Sequence, residues 1–250
     1  MEQIFGIHAV RGWLKSGQAR KGDQLLVDER RHDRRLQDLV QQAKRQGISV
    51  RKVSKREMDR LAQGGVHQGV VVEVAVKTEQ KIYDDNWLEE MLDNLSEPPF
   101  LLMLDGVTDP HNLGACLRSA EAAGVHAVVV PKDRSVGITP VVRKVASGAV
   151  ESLPFVMVTN LSRLLKSLAD RGLWIVGATG EATDSLYEAD LGGPLVLVMG
   201  AEGGGMRRLT KENCSQLVKI PMAGEVSSLN VSVASGVALF EAVRQRMLSR

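Results

Sequence analysis

Apolar positions recur along this chain in two rhythms. In the first 76 residues short helical and strand-like patterns alternate. Residues 4–15 have helical spacing, 22–29 (GDQLLVDE) read as a short strand, and 34–47 as an amphipathic helix ended by Gly47. Residues 48–54 then read as a strand, 55–63 as a helix and 69–76 as a strand run. Beyond residue 100 the rhythm becomes regular. Near-continuous apolar runs appear at 100–105, 126–131, 152–158, 173–179, 194–200 and 217–222. Helical stretches at 113–124, 141–150 and 161–172 lie among them, and a long final helix is predicted over roughly 229–247. Valine- and leucine-rich strands alternating with helices predict an α/β fold, a parallel sheet with helices on both faces. The segment between, 78–99, is acidic and ends in Pro98-Pro99. It reads as a linker with one short helix at 87–95, in which Trp87 is a packing anchor.

Composition adds boundaries. With 44% hydrophobic and 25% charged residues the chain is of globular type. No apolar run reaches the roughly 18 residues that span a bilayer, so no membrane partner is expected. The first residues carry Glu2, Arg11 and Lys15 instead of the basic-then-apolar order of a secretion signal. Two cysteines, Cys116 and Cys214, are too few for a disulfide framework or a cysteine-rich zinc site, and a cytoplasmic location is expected.

Charge sharpens the division. The net charge is +2, yet residues 1–77 hold 16 Lys and Arg against 9 Asp and Glu, so the remainder is net acidic. The excess clusters at Arg30, Arg31, Arg34 and Arg35, and again at Arg51, Lys52, Lys55 and Arg56. Such clusters are either a solvated helix face or a phosphate-binding surface. Their confinement to one end of the chain favours the latter.

Ligands of open parallel sheets sit beyond the carboxyl ends of strands, and three such ends carry unusual residues. After 100–105, Asn112 and Arg118 stand six apart around a helix start; a helix cap and a surface charge would explain them equally well. After 195–199, the stretch GAEGGG places four glycines in six positions, where a ligand can approach the main chain closely. It is no dinucleotide fingerprint, and it contains a carboxylate, Glu202. After 217–220 comes IPMAGEVSSLNVSVA, in which Ser227, Ser228 and Asn230 precede a helix of small residues.

Together these segments resemble the three motifs of the SpoU/TrmH family of the SPOUT superfamily. The first is similar to its N-x-x-x-x-x-R, the second to its G-x-E-x-x-G loop (Gly200, Glu202, Gly205), and the third to its I-P-M-x-G-x-x-x-S-L-N-x-S-x-A, matched from Ile220 to Ala234. Gly6–Val10 (GIHAV) and the HQG at His67–Gly69 look like the substrate-binding extension of a ribosomal branch of that family. The resemblance implies a C-terminal deep trefoil knot, a homodimer, and three regions: an RNA-binding domain at 1–77, a linker at 78–99 and a methyltransferase domain at 100–250. It implies S-adenosylmethionine as cofactor, held by Gly200, Ile220 and Leu229 with Ala201, Met222 and Ser228 nearby, and no metal. The implied reaction is 2′-O-methylation of a guanosine ribose in the peptidyl-transferase region of 23S ribosomal RNA.

The resemblance gives Arg118 the task of activating the ribose hydroxyl. A guanidinium with a pKa above about 12 is a poor base. Arg118 is therefore read as an electrostatic and phosphate-positioning group, with Asn112, Glu202 and Asn230 orienting it and the ribose. Transfer RNA as the substrate, a catalytically silent RNA-binding assembly protein, and a nucleotide-dependent oxidoreductase are the alternatives. The last lacks its fingerprint, and the silent protein has no need of the complete residue set.

Overall fold

The computed structural model describes residues 2–17, 19, 22–62, 65–74, 81–201 and 203–248. The chain forms two compact units: Met1–Gln80 with Arg143–Ser152, and Lys81–Val142 with Leu153–Arg250.

The smaller unit runs β1 (Glu2–Phe5), α1 (Ile7–Lys15), β2 (Gln24–Asp28), α2 (Arg34–Arg45), β3 (Ser49–Val53), α3 (Lys55–Leu61) and β4 (Val70–Val74). Its sheet has the order β1-β4-β2-β3, with β2 and β3 parallel and the other pairs antiparallel. The helix predicted over 4–15 is corrected here. Ile4 and Phe5 pair with Val72 and Val71 as strand residues, and the helix starts only at Ile7. A pairing partner nearly 70 residues away overrides the local helical spacing. Gly6, at φ 97°, turns the corner, and the Ile7 N–H donates to Gln68 Oε1 at 3.0 Å. Helices α2 and α3 begin where Asp33 and Ser54 accept from the backbone N–H groups of Leu36 and Glu57. Leu36, Leu39 and Ala43 of α2 join Trp13 and Leu14 in an apolar cluster of this unit.

The chain continues with β5 (Ile82–Tyr83), α4 (Asp85–Asp93), β6 (Phe100–Asp105), α5 (Pro110–Ala122), β7 (Ala127–Pro131), α6 (Pro140–Ala146), α7 (Ala149–Ser152), β8 (Phe155–Val158), α8 (Leu161–Asp170), β9 (Trp174–Ala178), β10 (Asp184–Ser185), β11 (Leu195–Gly200), α9 (Arg208–Glu212), β12 (Gln216–Lys219) and α10 (Val231–Leu248). Part of the α6–α7 segment is counted with the smaller unit. Eight parallel strands form one sheet of order β10-β12-β9-β11-β6-β7-β8-β5. Every residue of β6 and β7 is buried, which accounts for their unbroken apolar runs.

Three local readings differ from the sequence expectation. The stretch 78–99 holds β5 and α4, and its helix lies at Asp85–Asp93 instead of 87–95. Asp84 caps that helix, and Trp87 packs on the core against Tyr83, their ring centroids 3.8 Å apart. The helix read at 141–150 is two, because Ser147 and Gly148 both take positive φ between α6 and α7. The final helix begins at Val231, two residues later than expected. Near its other end Arg246 donates to the carbonyls of Pro99 (2.8 Å) and Gly193 (2.6 Å), and its guanidinium lies 4.5 Å from the Phe100 ring centroid.

Candidate active site

Beyond the carboxyl ends of β9, β11 and β12 lies a cavity of about 630 Å³. The chain reverses its direction of travel across the sheet in this region, since β6, β7 and β8 step one way and β9 returns past β11. The six residues expected at the cofactor, Gly200, Ala201, Ile220, Met222, Ser228 and Leu229, all line this cavity, as does Asn230. Thr179, Gly180, Glu181 and Lys211 complete one side and were absent from the sequence reading. Lys211 Nζ and Glu181 Oε2 form an ion pair at 2.5 Å at the cavity wall.

The glycine-rich segment is a closed turn. Ala201 and Gly205 exchange backbone hydrogen bonds of 3.1 and 2.9 Å, with Gly203 and Gly205 at positive φ. A Cβ on Gly200 would lie 2.2 Å from Met206 N and 2.3 Å from Gly205 C, both backbone atoms, so only glycine fits there. Glu202 lies outside the described residues.

The first and third motifs meet. Asn230 Nδ2 donates to Asn112 Oδ1 at 3.0 Å, and Asn230 Oδ1 accepts from the Ser232 N–H at 2.9 Å and the Ser232 hydroxyl at 2.6 Å. Asn112 is therefore not the cap of α5. Asp109 does that work, accepting from the His111 N–H at 2.9 Å. Helix α5 packs on α10 through small residues, with Cys116 and Ser235 fully buried and their Sγ and Oγ 3.6 Å apart. Arg118 is exposed on α5, outside the cavity lining.

Two further residues act on this region without having been singled out. Asp105, the last residue of β6, is buried and takes the Arg207 backbone N–H at 2.9 Å and its guanidinium at 2.6–2.7 Å. Its carboxylate also influences Cys214, whose thiol is pushed up to about 12, mainly by burial and secondarily by that charge. The only hint in the sequence was an acidic residue closing an otherwise apolar strand.

In the smaller unit the two basic clusters come to one end of the sheet, where the Glu29 N–H donates to Val53 O at 3.0 Å. Arg30, Arg34, Arg35, Lys52, Lys55 and Arg56 are exposed there. The HQG segment is tied to the end of β2 and the start of α2: Arg31 donates to Gln68 O and pairs with Asp33, while the Asp28 N–H donates to Gly69 O. Among the described residues no group of three or more His, Cys, Asp or Glu could hold a metal ion. No helix among them is long and apolar enough to cross a membrane.

Comparison with known proteins is consistent across the whole length. Residues 99–240 match the SpoU rRNA Methylase family, and residues 3–80 match the family described as RNA 2′-O ribose methyltransferase substrate binding. The chain is 55% identical over 250 residues to the 23S rRNA (guanosine-2′-O-)-methyltransferase RlmB of Pseudomonas putida, covering 100% of this chain and 99% of the relative. To the protein of the same name from Haemophilus influenzae it is 54% identical over 247 residues, 98% of each chain. A crystal structure of an RNA 2′-O ribose methyltransferase superposes with a TM-score of 0.77 at 28% identity, covering 98% of this chain and 88% of that one. The fold is shared with the SpoU methyltransferase AviRb from Streptomyces viridochromogenes, solved in complex with AdoMet, at a TM-score of 0.73 and 24% identity over 98% and 90% of the two chains. With its larger unit matched by the family and its full length matched by these relatives, the chain belongs to the SpoU rRNA methylase family.

Proposed function

We propose that this protein transfers a methyl group from S-adenosylmethionine to the 2′-oxygen of a guanosine ribose in 23S ribosomal RNA, as its relatives are named for doing. The observation that carries the reading is the cavity beyond β9, β11 and β12, to which the second and third motifs both contribute. Its volume is that of a small-molecule site. Its walls suit the cofactor: Met199, Ile220, Leu229 and Val231 offer apolar surface for an adenine, and the closed glycine turn offers backbone groups without side chains in the way.

In this reading Gly200, Ala201, Ile220, Met222, Ser228 and Leu229 hold the cofactor, which when bound supplies an electrophilic methyl group. Arg118, exposed beside the motif helix, draws the ribose phosphate in and lowers the hydroxyl pKa by its charge. Asn230, fixed by Asn112 and Ser232, faces the ribose. Glu202 keeps its proposed orienting role. Water or a neighbouring group takes the proton, since a guanidinium accepts none at neutral pH.

The finer organisation belongs to the same proposal. Residues 1–77 hold the RNA through their basic end, 78–99 join, and 100–250 carry the transfer. The C-terminal segment threads the expected trefoil knot, a reading supported by its return to the cavity from β12 and by the pinning of Arg246. A homodimer is supported by Val233, Phe240 and Met247, exposed apolar residues seven apart on α10, and by the exposure of all of 221–230. The cytoplasm, where ribosomal RNA is modified, is the proposed location.

The test is transfer of labelled methyl groups to unmodified 23S rRNA, 16S rRNA and bulk tRNA, offered separately, with alkali-resistant linkages then mapped. Label in 23S rRNA alone, at a guanosine, is expected. Label confined to tRNA would refute the ribosomal substrate, and cofactor binding without transfer to any RNA would leave a silent binding protein.

A further inference from the structure

Asp105 has no part in the chemistry described above, and it does not line the cavity. Yet it is a carboxylate whose side chain is 0% exposed, set in a strand that otherwise reads Phe-Leu-Leu-Met-Leu. A buried charge is costly unless it is paired and hydrogen-bonded. Here one residue supplies the pairing: Oδ2 accepts from the Arg207 backbone N–H at 2.9 Å and Oδ1 from Arg207 Nε at 2.7 Å, with Nη2 ion-paired 2.6 Å from Oδ1. The main chain of Arg207 is thereby held as firmly as its side chain.

That anchor sits at a strategic point. Asp105 lies in register beside Gly200 on the neighbouring strand. The chain leaves β11 at Gly200, makes the turn closed by Ala201 and Gly205, folds Met206 N over Gly200, buries the Met206 side chain in the core, and reaches Arg207. The turn is thus fixed at both ends, by β11 before it and by the Asp105–Arg207 tie after it. A stretch with glycine at 200, 203, 204 and 205 has far more conformational freedom than one built from residues with side chains. Left loose, it would have to be ordered each time a ligand bound, at a cost to affinity.

We infer that Asp105 is a positioning residue for the cofactor cavity, acting through Arg207 to preorganise the glycine turn that forms the cavity wall. The inference rests on the proposed cofactor role of the cavity. It also explains why a charged residue ends the central strand, immediately before the loop that leads to Asn112. The second strand end is shaped from the first.

Calorimetric titration of S-adenosylmethionine into the full-length protein tests this, with Asp105→Asn, Arg207→Gln, the double variant and Arg207→Lys. Each of the first two is expected to raise Kd tenfold or more, with kcat at saturating cofactor within threefold of native. The double variant should bind no worse than the weaker single, because the same side-chain ion pair is lost in all three. Arg207→Lys keeps the charge but not the paired guanidinium nitrogens and should fall between. This variant, at a half-exposed position, keeps the test alive if Asp105→Asn does not fold. Cofactor affinity within twofold of native in Asp105→Asn, additive losses in the double variant, or a fall in kcat with unchanged KM would each overturn the inference. Failure of the native protein itself to bind the cofactor would instead overturn the reading of the cavity.

Discussion

Asn112 and Asn230, 118 residues apart in sequence, are joined by a 3.0 Å hydrogen bond from the Asn230 amide to the Asn112 carbonyl oxygen. With it the helix start after β6 and the helix start after β12 become one structure. Both side chains are short amides, so each fixes the other's rotamer, and Ser232 fixes Asn230 a second time. The expected outcome is strong coupling. Asn112→Ala and Asn230→Ala should each destabilise the protein by about 1–3 kcal/mol, and the double variant should cost less than their sum by at least ~0.5 kcal/mol. Urea unfolding of the four proteins measures this, and strict additivity would show that the bond orients nothing.

Arg118 should separate transfer from cofactor binding. It is exposed and lies off the cavity lining. Arg118→Ala should lower kcat by roughly 100-fold or more, with cofactor Kd within about twofold of native. Arg118→Lys, which keeps charge but not the planar fork, should recover only part of the loss. Loss of cofactor binding in the alanine variant would move Arg118 into the cofactor site.

Two glycines four positions apart make opposite predictions. Gly200→Ala drives a Cβ into the backbone of Gly205 and Met206, whereas a Cβ on Gly204 meets nothing within 4 Å. The first substitution should cost about 1–3 kcal/mol in stability and abolish measurable cofactor binding. The second should stay within ~0.5 kcal/mol of native. Equal effects in thermal unfolding would mean that the turn can shift away from β11.

The Cys214 thiol gives a pH-dependent signature. Burial and the nearby Asp105 carboxylate push it up to about 12, from an ordinary value of 9.0. The unfolded chain therefore loses this proton first as pH rises, and stability conferred by the buried thiol is complete below pH 9 and declines between 9 and 12. The slope is at most about 1.4 kcal/mol per pH unit. Denaturation midpoints from pH 8 upward should fall more steeply in the native protein than in Cys214→Ala. In Cys116→Ala, the remaining thiol should alkylate at pH 9 at least ~100-fold more slowly than a free thiol.

The basic end of the smaller unit should act through phosphates. Replacing Arg30, Arg34, Arg35, Lys55 and Arg56 by Gln in the full chain should weaken RNA binding at low salt. For every phosphate that these residues no longer neutralise, the dependence of log affinity on log salt should flatten by ~0.7–0.9. An unchanged slope would identify these residues as a solvated surface only.

Much of this could be read from the chain because its signals are local. The strands of the larger unit are buried on both faces, so β6, β7 and β11 spell themselves out as apolar runs, and the strand-end rule then points to residues 200 and 220–230. What escaped depended on distant partners. The strand at Glu2–Phe5 exists because β4 is there to pair with it, and its own residues fit a helix equally well. Asn112 looked like a cap because the real one, Asp109, is only three residues earlier. Asp105 showed locally only as an acidic residue closing an apolar strand, since its meaning lies in an arginine 102 positions downstream. Thr179–Glu181, after a strand that ends without a recognisable motif, offered no reason to be singled out.

The placement of the cavity also sets when in the protein's life it can exist. Its walls come from the ends of β9, β11 and β12 and from the first turn of α10, so they cannot be complete until Ala234 has left the ribosome. The smaller unit, made almost entirely from the first 80 residues, emerges long before. A nascent chain thus gains its basic surface before its cavity. Truncation anywhere before Asn230 yields a product that cannot form the Asn112 tie and lacks the cavity walls supplied by Asn230, Val231 and Ala234.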